Sequence, residues 1–447
     1  MWRTRAAVTM GIRGVSPGRP RGPGVRSPGA RVRCSWRPRG PGVRNPGARV
    51  RSSWRPPSSS RLAMGQGEVD RMANGRCHEL RIGVLGSYGG LNLGDEAILA
   101  CVLDSLRQIR PGAQQVVFSR HPEHTRTCFG TPAVGYTEVS LGQLAEIEAG
   151  LDLLILGGGG ILHDGLAASV MRPVRLAHRL GVPTFGYAIG AGPLTGHEEI
   201  DVVRDTIERM TDLTVRDHES ILVLEGMGVT REIPATADAA VLLEPEEFTE
   251  EMLLREGIDG QTRLVGISVR EPGRAADNLD ESSYHGLLAE VTDFMTCRYE
   301  AQAVFIPMER GDIAHSHAVL SAMSAPENAR VLNRTYSPGQ IAGLMRHLDF
   351  AVGMRLHFLI FAARAGVPVL PLPYAGKVFD FAQTIGAPAL TGIARRQAGP
   401  LLAELDRLWD ERGACSAMLR ERFQVLRERA RENQARCRAL IDRLAPV

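Results

Sequence analysis

The chain has 447 residues and a formal net charge of only +3, but this balance conceals two opposed parts. Residues 1–62 hold 15 of the 53 basic residues and no acidic residue, so the remainder carries 38 basic against 50 acidic residues. An acidic body argues against a general nucleic-acid-binding role. No run of 18 apolar residues occurs, so no membrane-spanning helix is expected. The seven cysteines lack a CxxC pair, which predicts reduced thiols in a cytoplasmic protein without a zinc site.

The N-terminal segment repeats itself with an 18-residue period: RGPGVRSPGARVRCSWRP (Arg21–Pro38) is followed by RGPGVRNPGARVRSSWRP (Arg39–Pro56). A segment rich in Arg, Pro and Gly without apolar periodicity cannot bury a core, so we predict a disordered tail over residues 1–62. The tail either binds anions or nucleic acid, acts as a targeting peptide, or is absent from a mature protein that starts at Met64 or Met72. The last is favoured, because no apolar signal region is present.

The body opens with a strand, a glycine-rich turn and a helix, which is typical of a Rossmann-like unit. The strand LRIGVL (Leu80–Leu85) runs into GSYGGLNLGDEAIL (Gly86–Leu99), and the helix continues through Ile109. The turn lacks the GxGxxG spacing, so it supports a dinucleotide only weakly.

Four residues of this turn are candidates for a binding site. Gly89 and Gly94 allow the backbone to approach a ligand closely, and Asn92 lies near the helix start. Asp95 either caps the helix or acts as a base on an acceptor.

A second glycine-rich stretch follows the buried strand LDLLIL (Leu151–Leu156) and reads GGGGILHD (Gly157–Asp164). Four consecutive glycines exceed what a tight turn needs, which favours a site wall that includes Gly158, Gly159 and Gly160. His163 and Asp164 are candidates to bind acceptor hydroxyls.

Strands and helices alternate through the rest of the chain, which predicts two doubly wound α/β halves with parallel sheets. The predicted first domain covers residues 78–245, the second 261–395, and C-terminal helices 398–447. An acidic linker, Glu244–Gly260, joins the halves. Further strands are predicted at Gln115–Ser119, Thr184–Ile189, Leu213–Val215, Arg263–Val269, Ala303–Ile306 and Ala329–Leu332, and helices at Leu141–Ala149, Arg172–Leu180, Glu198–Met210, Ser220–Gly226, Tyr284–Arg298, His315–Met323, Gln340–Met345, Leu401–Trp409 and Met418–Leu444.

The densest chemistry lies in VGMRLHFLIFAARAGVPVLPLPY (Val352–Tyr374), which reads as a β-α-β unit. Arg355 and His357 follow the first strand at the start of the helix, where ligands of open α/β sheets bind. A helix N-terminus attracts anions. This pattern indicates a site for a small anionic substrate. The alternative is that Arg355 only caps the helix and that His357 only packs in the core.

No metal site is apparent from the sequence. His315 and His317 lie close to Asp312, but residues two apart on a helix point in different directions. The two histidines are therefore interpreted as surface residues.

Several motifs in this order resemble the polysaccharide pyruvyl transferase family: GSYGGLNLGDEAIL, LILGGGGILHD, GYAIGAGPL, TVRDHES, TADAAVLL, GISVR, FIPMERGD and the stretch Val352–Tyr374. The resemblance covers about Arg81–Gly386. It implies two Rossmann-like domains in a GT-B-type arrangement, with the active site between them. It further implies phosphoenolpyruvate as the donor, no cofactor, and a sugar or glycolipid acceptor that receives pyruvate as a ketal.

The resemblance also implies that the triplet Arg355-Leu356-His357 binds the donor. Phosphoenolpyruvate carries a carboxylate and a phosphate, and Arg suits both. Arg270 and Arg216, each at the end of a strand, compete for the second clamp. His357 is expected to contact phosphate or transfer a proton. The alternatives are a GT-B-type glycosyltransferase that uses a nucleotide-sugar, and a non-catalytic protein of the same fold.

Overall fold

The computed structural model describes residues 79–271, 280–372, 375–388 and 398–444. The predicted tail, with its repeats, lies outside the described residues.

The first half of the body is built on a seven-stranded parallel sheet. Its order is β3-β2-β1-β4-β6-β7, and β5 extends β4 along the same side of β6. The strands are nearly all apolar, because helices cover both faces of the sheet. They are β1 (Arg81–Leu85), β2 (Gln114–Ser119), β3 (Ala133–Gly135), β4 (Leu153–Leu156), β5 (Gly159–Leu162), β6 (Thr184–Ala191) and β7 (Asp212–Val215).

Five helices connect these strands, and a sixth follows β7. Asn92 begins α1 by accepting hydrogen bonds from the backbone amides of Gly94 and Asp95, and Ser140 begins α3 with a capping box. The helices are α1 (Leu93–Ile109), α2 (Pro122–Phe129), α3 (Leu141–Glu148), α4 (Ala167–Leu180), α5 (His197–Arg209) and α6 (His218–Gly226).

The second half repeats the plan with a five-stranded parallel sheet in the order β10-β9-β8-β11-β12. Its strands are β8 (Arg263–Ser268), β9 (Ala301–Phe305), β10 (Ala329–Val331), β11 (Phe350–Gly353) and β12 (Val369–Pro371). The helices that precede and surround it are α7 (Glu250–Arg255), α8 (Glu281–Tyr299), α9 (Arg310–Ala322), α10 (Pro338–Leu344), α11 (Leu356–Ala365), α12 (Gly376–Ile385), α13 (Ala398–Asp410) and α14 (Arg412–Leu444).

The long helix α14 returns from the second half to the first. Its buried Asn433 accepts hydrogen bonds from the hydroxyls of Thr214 (2.6 Å) and Thr236 (2.7 Å) and donates one to the carbonyl of Ala237. Because Thr214 belongs to β7 and the segment of Thr236 and Ala237 runs beside the end of that strand, α14 supports this edge of the first sheet.

Three predicted helices start at the wrong residue by five positions or more: α4, α9, and α14, which begins at Arg412 rather than Met418. The stretch GGGGILHD, predicted as a site wall, is partly a strand, because Gly159–Leu162 form β5 and pair with β6. Helix α4 begins at Ala167 and continues through Pro173. Helix α9 begins at Arg310 rather than His315, since Glu309 and Asp312 form a capping pair at its start. At α9 this capping pair decides the boundary, which apolar periodicity does not report.

The described residues hold five unpaired cysteines, Cys101, Cys128, Cys297, Cys415 and Cys437. Across the same part of the chain, each helix is too short or too polar to cross a bilayer.

Candidate active site

A cleft of about 540 Å³ lies where the carboxyl ends of the two sheets meet. The loop after β1 and strand β5 line it from the first half, and the start of α11 lines it from the second. The halves also touch at this point, because the amide of Leu93 donates to the carbonyl of Met308 (2.8 Å) and Asn92 donates to Glu309 (2.8 Å). Its cationic lining residues are Arg120, Arg216, Arg270, Arg355 and Lys377, and its acidic ones are Asp95, Asp164 and Glu309.

Arg355 is the N-cap residue of α11, as the β-α-β pattern predicts. Its guanidinium binds both oxygens of the buried Asp312, with Nε 3.0 Å from Oδ2, and Nη2 also contacts Glu309. Both acidic residues belong to the FIPMERGD stretch. Two carboxylates therefore fix the direction of Arg355, and its charge is partly neutralised before any ligand binds.

His357 lies in the first turn of α11, pressed against the start of α1. Its Nε2 is 3.5 Å from Oδ2 of Asp238, which is an ion-pair distance but longer than a usual hydrogen bond. On the other side of the ring, a Cβ added to Gly94 would lie 1.9 Å from Nδ1. Gly94 is thus needed to make room for the imidazole, and Asp238 is placed to orient it.

Asp238 joins His357 to Arg216. Nη1 of Arg216 donates to Asp238 (3.1 Å), and its Nε donates to Asp217 (3.0 Å). Burial alone would raise the pKa of Asp238, but His357 and Arg216 outweigh it and hold that pKa well below its ordinary value. The buried carboxylate is therefore charged at neutral pH and couples the two cleft residues.

Asp95 faces the cleft and does not cap α1, because Asn92 takes that position. Desolvation raises the pKa of Asp95, although His357 and a hydrogen bond from Ser87 oppose the shift. Its neighbour Glu96 is buried, and desolvation raises the pKa of Glu96 to about 7. A carboxyl group with a raised pKa beside an imidazole suits proton transfer near neutral pH.

The glycines predicted as a wall have different surroundings. Gly160 lines the cleft, and a Cβ there would lie 3.6 Å from Arg216 and 3.7 Å from Lys377. Gly158 packs against the backbone of β6, and Gly159, at φ +97°, packs against Asp95. Close packing within the sheet thus explains more of this glycine run than contact with a ligand does.

Gly89 also serves the loop itself. Its backbone has a φ of +72°, its amide donates to Glu96 (2.9 Å), and a Cβ would collide with Ser119. The adjacent Gly90, rather than Gly89, lines the cleft.

The remaining predicted site residues all line the cleft. Asp164 accepts hydrogen bonds from the amide (2.9 Å) and hydroxyl (3.0 Å) of Thr195, which fixes its loop. His163 is exposed beside it. Arg270 contacts Glu271, and Leu356 is largely buried between Arg355 and His357.

The structure adds three residues that the motif analysis did not assign. Asp238 lies within the TADAAVLL motif, but its role depends on tertiary contacts. Arg120 follows β2 on the rim of the cleft. Lys377, in the first turn of α12, is the only lysine among 447 residues, and this rarity was a signal available from the sequence.

Two Rossmann-like halves with a cleft between the carboxyl ends of their sheets define a GT-B-type fold. The profile of the polysaccharide pyruvyl transferase family matches residues 92–376, and the chain belongs to that family. No curated protein matches it in sequence.

Solved structures share this fold at low sequence identity. HepE (Alr3699) of Anabaena, solved in complex with UDP-glucose, has a TM-score of 0.57 and 11% identity, and the match covers 81% of this chain and 100% of HepE. MnaA of S. aureus, in a co-structure with UDP, has a TM-score of 0.54 and 10% identity over 76% of this chain and 91% of MnaA. The UDP-GlcNAc 2-epimerase of Methanocaldococcus jannaschii has a TM-score of 0.51 and 11% identity over 73% and 92%. These likenesses establish the fold.

Proposed function

We propose that the protein transfers the pyruvate unit of phosphoenolpyruvate to two hydroxyls of a sugar, forming a ketal and releasing phosphate. The observation that carries this proposal is the group of cations around one cleft, namely Arg216, Arg270, Arg355 and Lys377. Phosphoenolpyruvate presents two anionic groups, and planar guanidinium groups and an ammonium group complement both. The start of α11 adds a helix N-terminus to the same place.

The reaction needs proton transfers that balance. C3 of the enol gains a proton and becomes a methyl group, while C2 acquires oxocarbenium character. One sugar hydroxyl adds to C2, phosphate departs from it, and the second hydroxyl closes the ketal ring. The two hydroxyl protons are lost, one replacing the proton delivered to C3 and the other leaving with phosphate.

Asp95 and His357 are the groups placed to move these protons. Asp95 has a raised pKa and faces the cleft from the first half, where it can accept the proton of an acceptor hydroxyl. His357 faces the cleft from the second half and is oriented by Asp238. We assign it to the phosphate or to the proton that C3 receives.

Arg355 has a positioning role in this proposal as well as a binding role. Because Asp312 and Glu309 already hold its guanidinium, its orientation is set before the donor arrives. Such preorganisation lowers the cost of ordering a side chain on binding.

The test is incubation of the purified protein with phosphoenolpyruvate and a panel of hexose acceptors. The expected result is release of inorganic phosphate together with a sugar product heavier by one pyruvate less one water. Phosphate release without an acceptor product would indicate hydrolysis and would contradict the transfer.

A glycosyltransferase that uses a nucleotide-sugar is the second candidate, since HepE was solved with UDP-glucose. The two donors are separated by their effect on the melting temperature. A donor at 100 times its Kd stabilises the folded state by about 2.7 kcal/mol. We expect phosphoenolpyruvate to raise the melting temperature and UDP-glucose to leave it unchanged; the reverse result would favour the glycosyltransferase.

A further inference from the structure

A second cluster of polar side chains lies outside the cleft, between α8 and α9. Glu281, His285 and His315 lie close enough to share one metal ion. Within the described residues, this is the one set of three His, Cys, Asp or Glu side chains that does so. Their ligand atoms all lie within 4.8 Å of one another. Glu281 and His285 are four residues apart on α8, so they share one face of that helix. His315 approaches from α9.

The distances fit a small tetrahedral ion. Nε2 of His285 is 3.1 Å from Nδ1 of His315, and that Nδ1 is 3.4 Å from Oε1 of Glu281. Ligand atoms about 2.0–2.1 Å from a tetrahedral zinc ion are separated by about 3.3 Å. The imidazole planes are tilted by 48° rather than stacked, with their nitrogen edges turned toward each other.

We propose that Glu281, His285 and His315 bind a divalent transition-metal ion of the zinc class, with a fourth position open to water. Two imidazoles and one carboxylate form a ligand set that proteins use for zinc. Imidazole ligands favour zinc and its neighbours over Mg²⁺ or Ca²⁺, which prefer oxygen.

The position of this site gives it a structural consequence. Tyr284, next to His285, donates a hydrogen bond from its hydroxyl to the carbonyl of Arg270 (2.9 Å). Asp312, one helical turn before His315, holds Arg355. An ion shared by α8 and α9 would therefore fasten together the two helices that stand behind these two cleft cations.

The experiment is a titration of the full chain with Co²⁺ after chelator treatment, in a Cys128→Ser background that removes the exposed cysteine next to His124. Tetrahedral Co²⁺ gives intense visible bands, and the absence of a sulfur charge-transfer band separates this site from any cysteine site. We expect one equivalent to bind and Zn²⁺ to displace it one for one. Zn²⁺ should also raise the melting temperature by mass action.

His315→Ala and Glu281→Gln each remove a direct metal ligand. Loss of a residue that only hydrogen-bonds to a ligand weakens metal binding roughly 10–100-fold, so these two variants should weaken it more. Both side chains are at least partly exposed, which makes these variants easier to fold than one at the buried His285. His317→Ala is the matched control, because His317 is exposed on the same helix. The proposal is wrong if His315→Ala and His317→Ala bind equally, or if the parent protein gives no tetrahedral spectrum. Either result would leave the two histidines as a hydrogen-bonded pair.

Discussion

At the scale of single residues, His357 and Asp238 form an ion pair to which we assign a role in the proposed reaction. The carboxylate of Asp238 lies 3.5 Å from Nε2 of His357 and also binds Arg216. Replacing His357 with Ala removes a group that we propose transfers a proton, and we expect turnover to fall by about 10²–10⁴-fold. Asp238→Asn keeps the shape but loses the charge, so it should reduce turnover in the same direction.

The readout for this pair is the rate of phosphate release at saturating phosphoenolpyruvate, with the melting temperature recorded to show that each variant is folded. His317→Ala, on the exposed surface of α9, serves as the control. A folded His357→Ala variant with unchanged turnover would remove the catalytic role.

Glu148 is a residue whose effect is on stability. It is fully buried at the end of α3, and neither carboxylate oxygen has a hydrogen-bond partner. Desolvation raises the pKa of Glu148 to about 8, with Arg179 and Arg172 opposing the shift. Between the ordinary value of 4.5 and about 8, the folded state holds a proton that the unfolded state has lost.

Stability from this proton is therefore complete below pH 4.5 and is lost as the pH rises through about 8. We expect Glu148→Gln to be more stable than the parent above pH 8, because the amide stays neutral where the buried carboxyl group must ionise, at a cost of about 1.4 kcal/mol for each unit by which its pKa is raised. The measurement is the melting temperature of both proteins from pH 5 to about pH 9. Parallel curves would show that Glu148 ionises normally.

At the scale of elements, the contact between the starts of α1 and α11 determines the geometry of the cleft. A methyl group at Gly94 would lie 1.9 Å from Nδ1 of His357, whereas Gly94 itself has no unusual φ. Gly94→Ala should therefore preserve α1 and displace the imidazole. A displacement of about 1 Å costs turnover on the order of 10²-fold.

Gly142→Ala is the matched control for this variant. Gly142 also lies in the first turn of a helix, and its added Cβ would meet nothing closer than 3.9 Å. Equal turnover in the two alanine variants would show that His357 is not held against Gly94.

The junction between α14 and the first sheet depends on one amide. Asn433 is fully buried and accepts hydrogen bonds from Thr214 and Thr236. Asn433→Ala should lower the free energy of unfolding by about 1–3 kcal/mol, because buried polar groups lose a partner. Urea denaturation measures this change. Gln434→Ala, which removes an exposed contact to Gln108, should have little effect, and similar losses in both would contradict the assignment.

The sequence predicted the strands and helices around the cleft better than it predicted the contacts between their side chains. The strand before Arg355 and the helix after it were predictable, because an apolar run followed by an apolar helix that Gly366 closes is a local pattern. The link from His357 through Asp238 to Arg216 was not, since it joins three separate segments. The sequence did not separate the roles within the glycine run after β4, because a glycine that packs against β6, such as Gly158, cannot be told by residue type from one that lines the cleft, such as Gly160.

At the scale of the whole molecule, two parallel sheets place their carboxyl ends on a common cleft, as an alternating β-α pattern predicts. The family match starts at residue 92 and the described residues start at 79. We expect deletion of residues 1–62 to leave turnover and melting temperature unchanged, because the family match begins at residue 92 and the cleft is lined by residues of the described part of the chain. Kinetics and melting of the full and shortened chains provide the comparison, and a large loss of turnover would assign the segment a part in the reaction.

The single lysine has a practical consequence. Apart from the N-terminal amine, Lys377 is the only primary amine in the chain, and it borders the cleft. Reductive methylation with ¹³C-formaldehyde would therefore place one isotopic probe beside the proposed donor, without mutagenesis and without competing signals from other side chains. Its NMR shift would report occupancy of the cleft in real time.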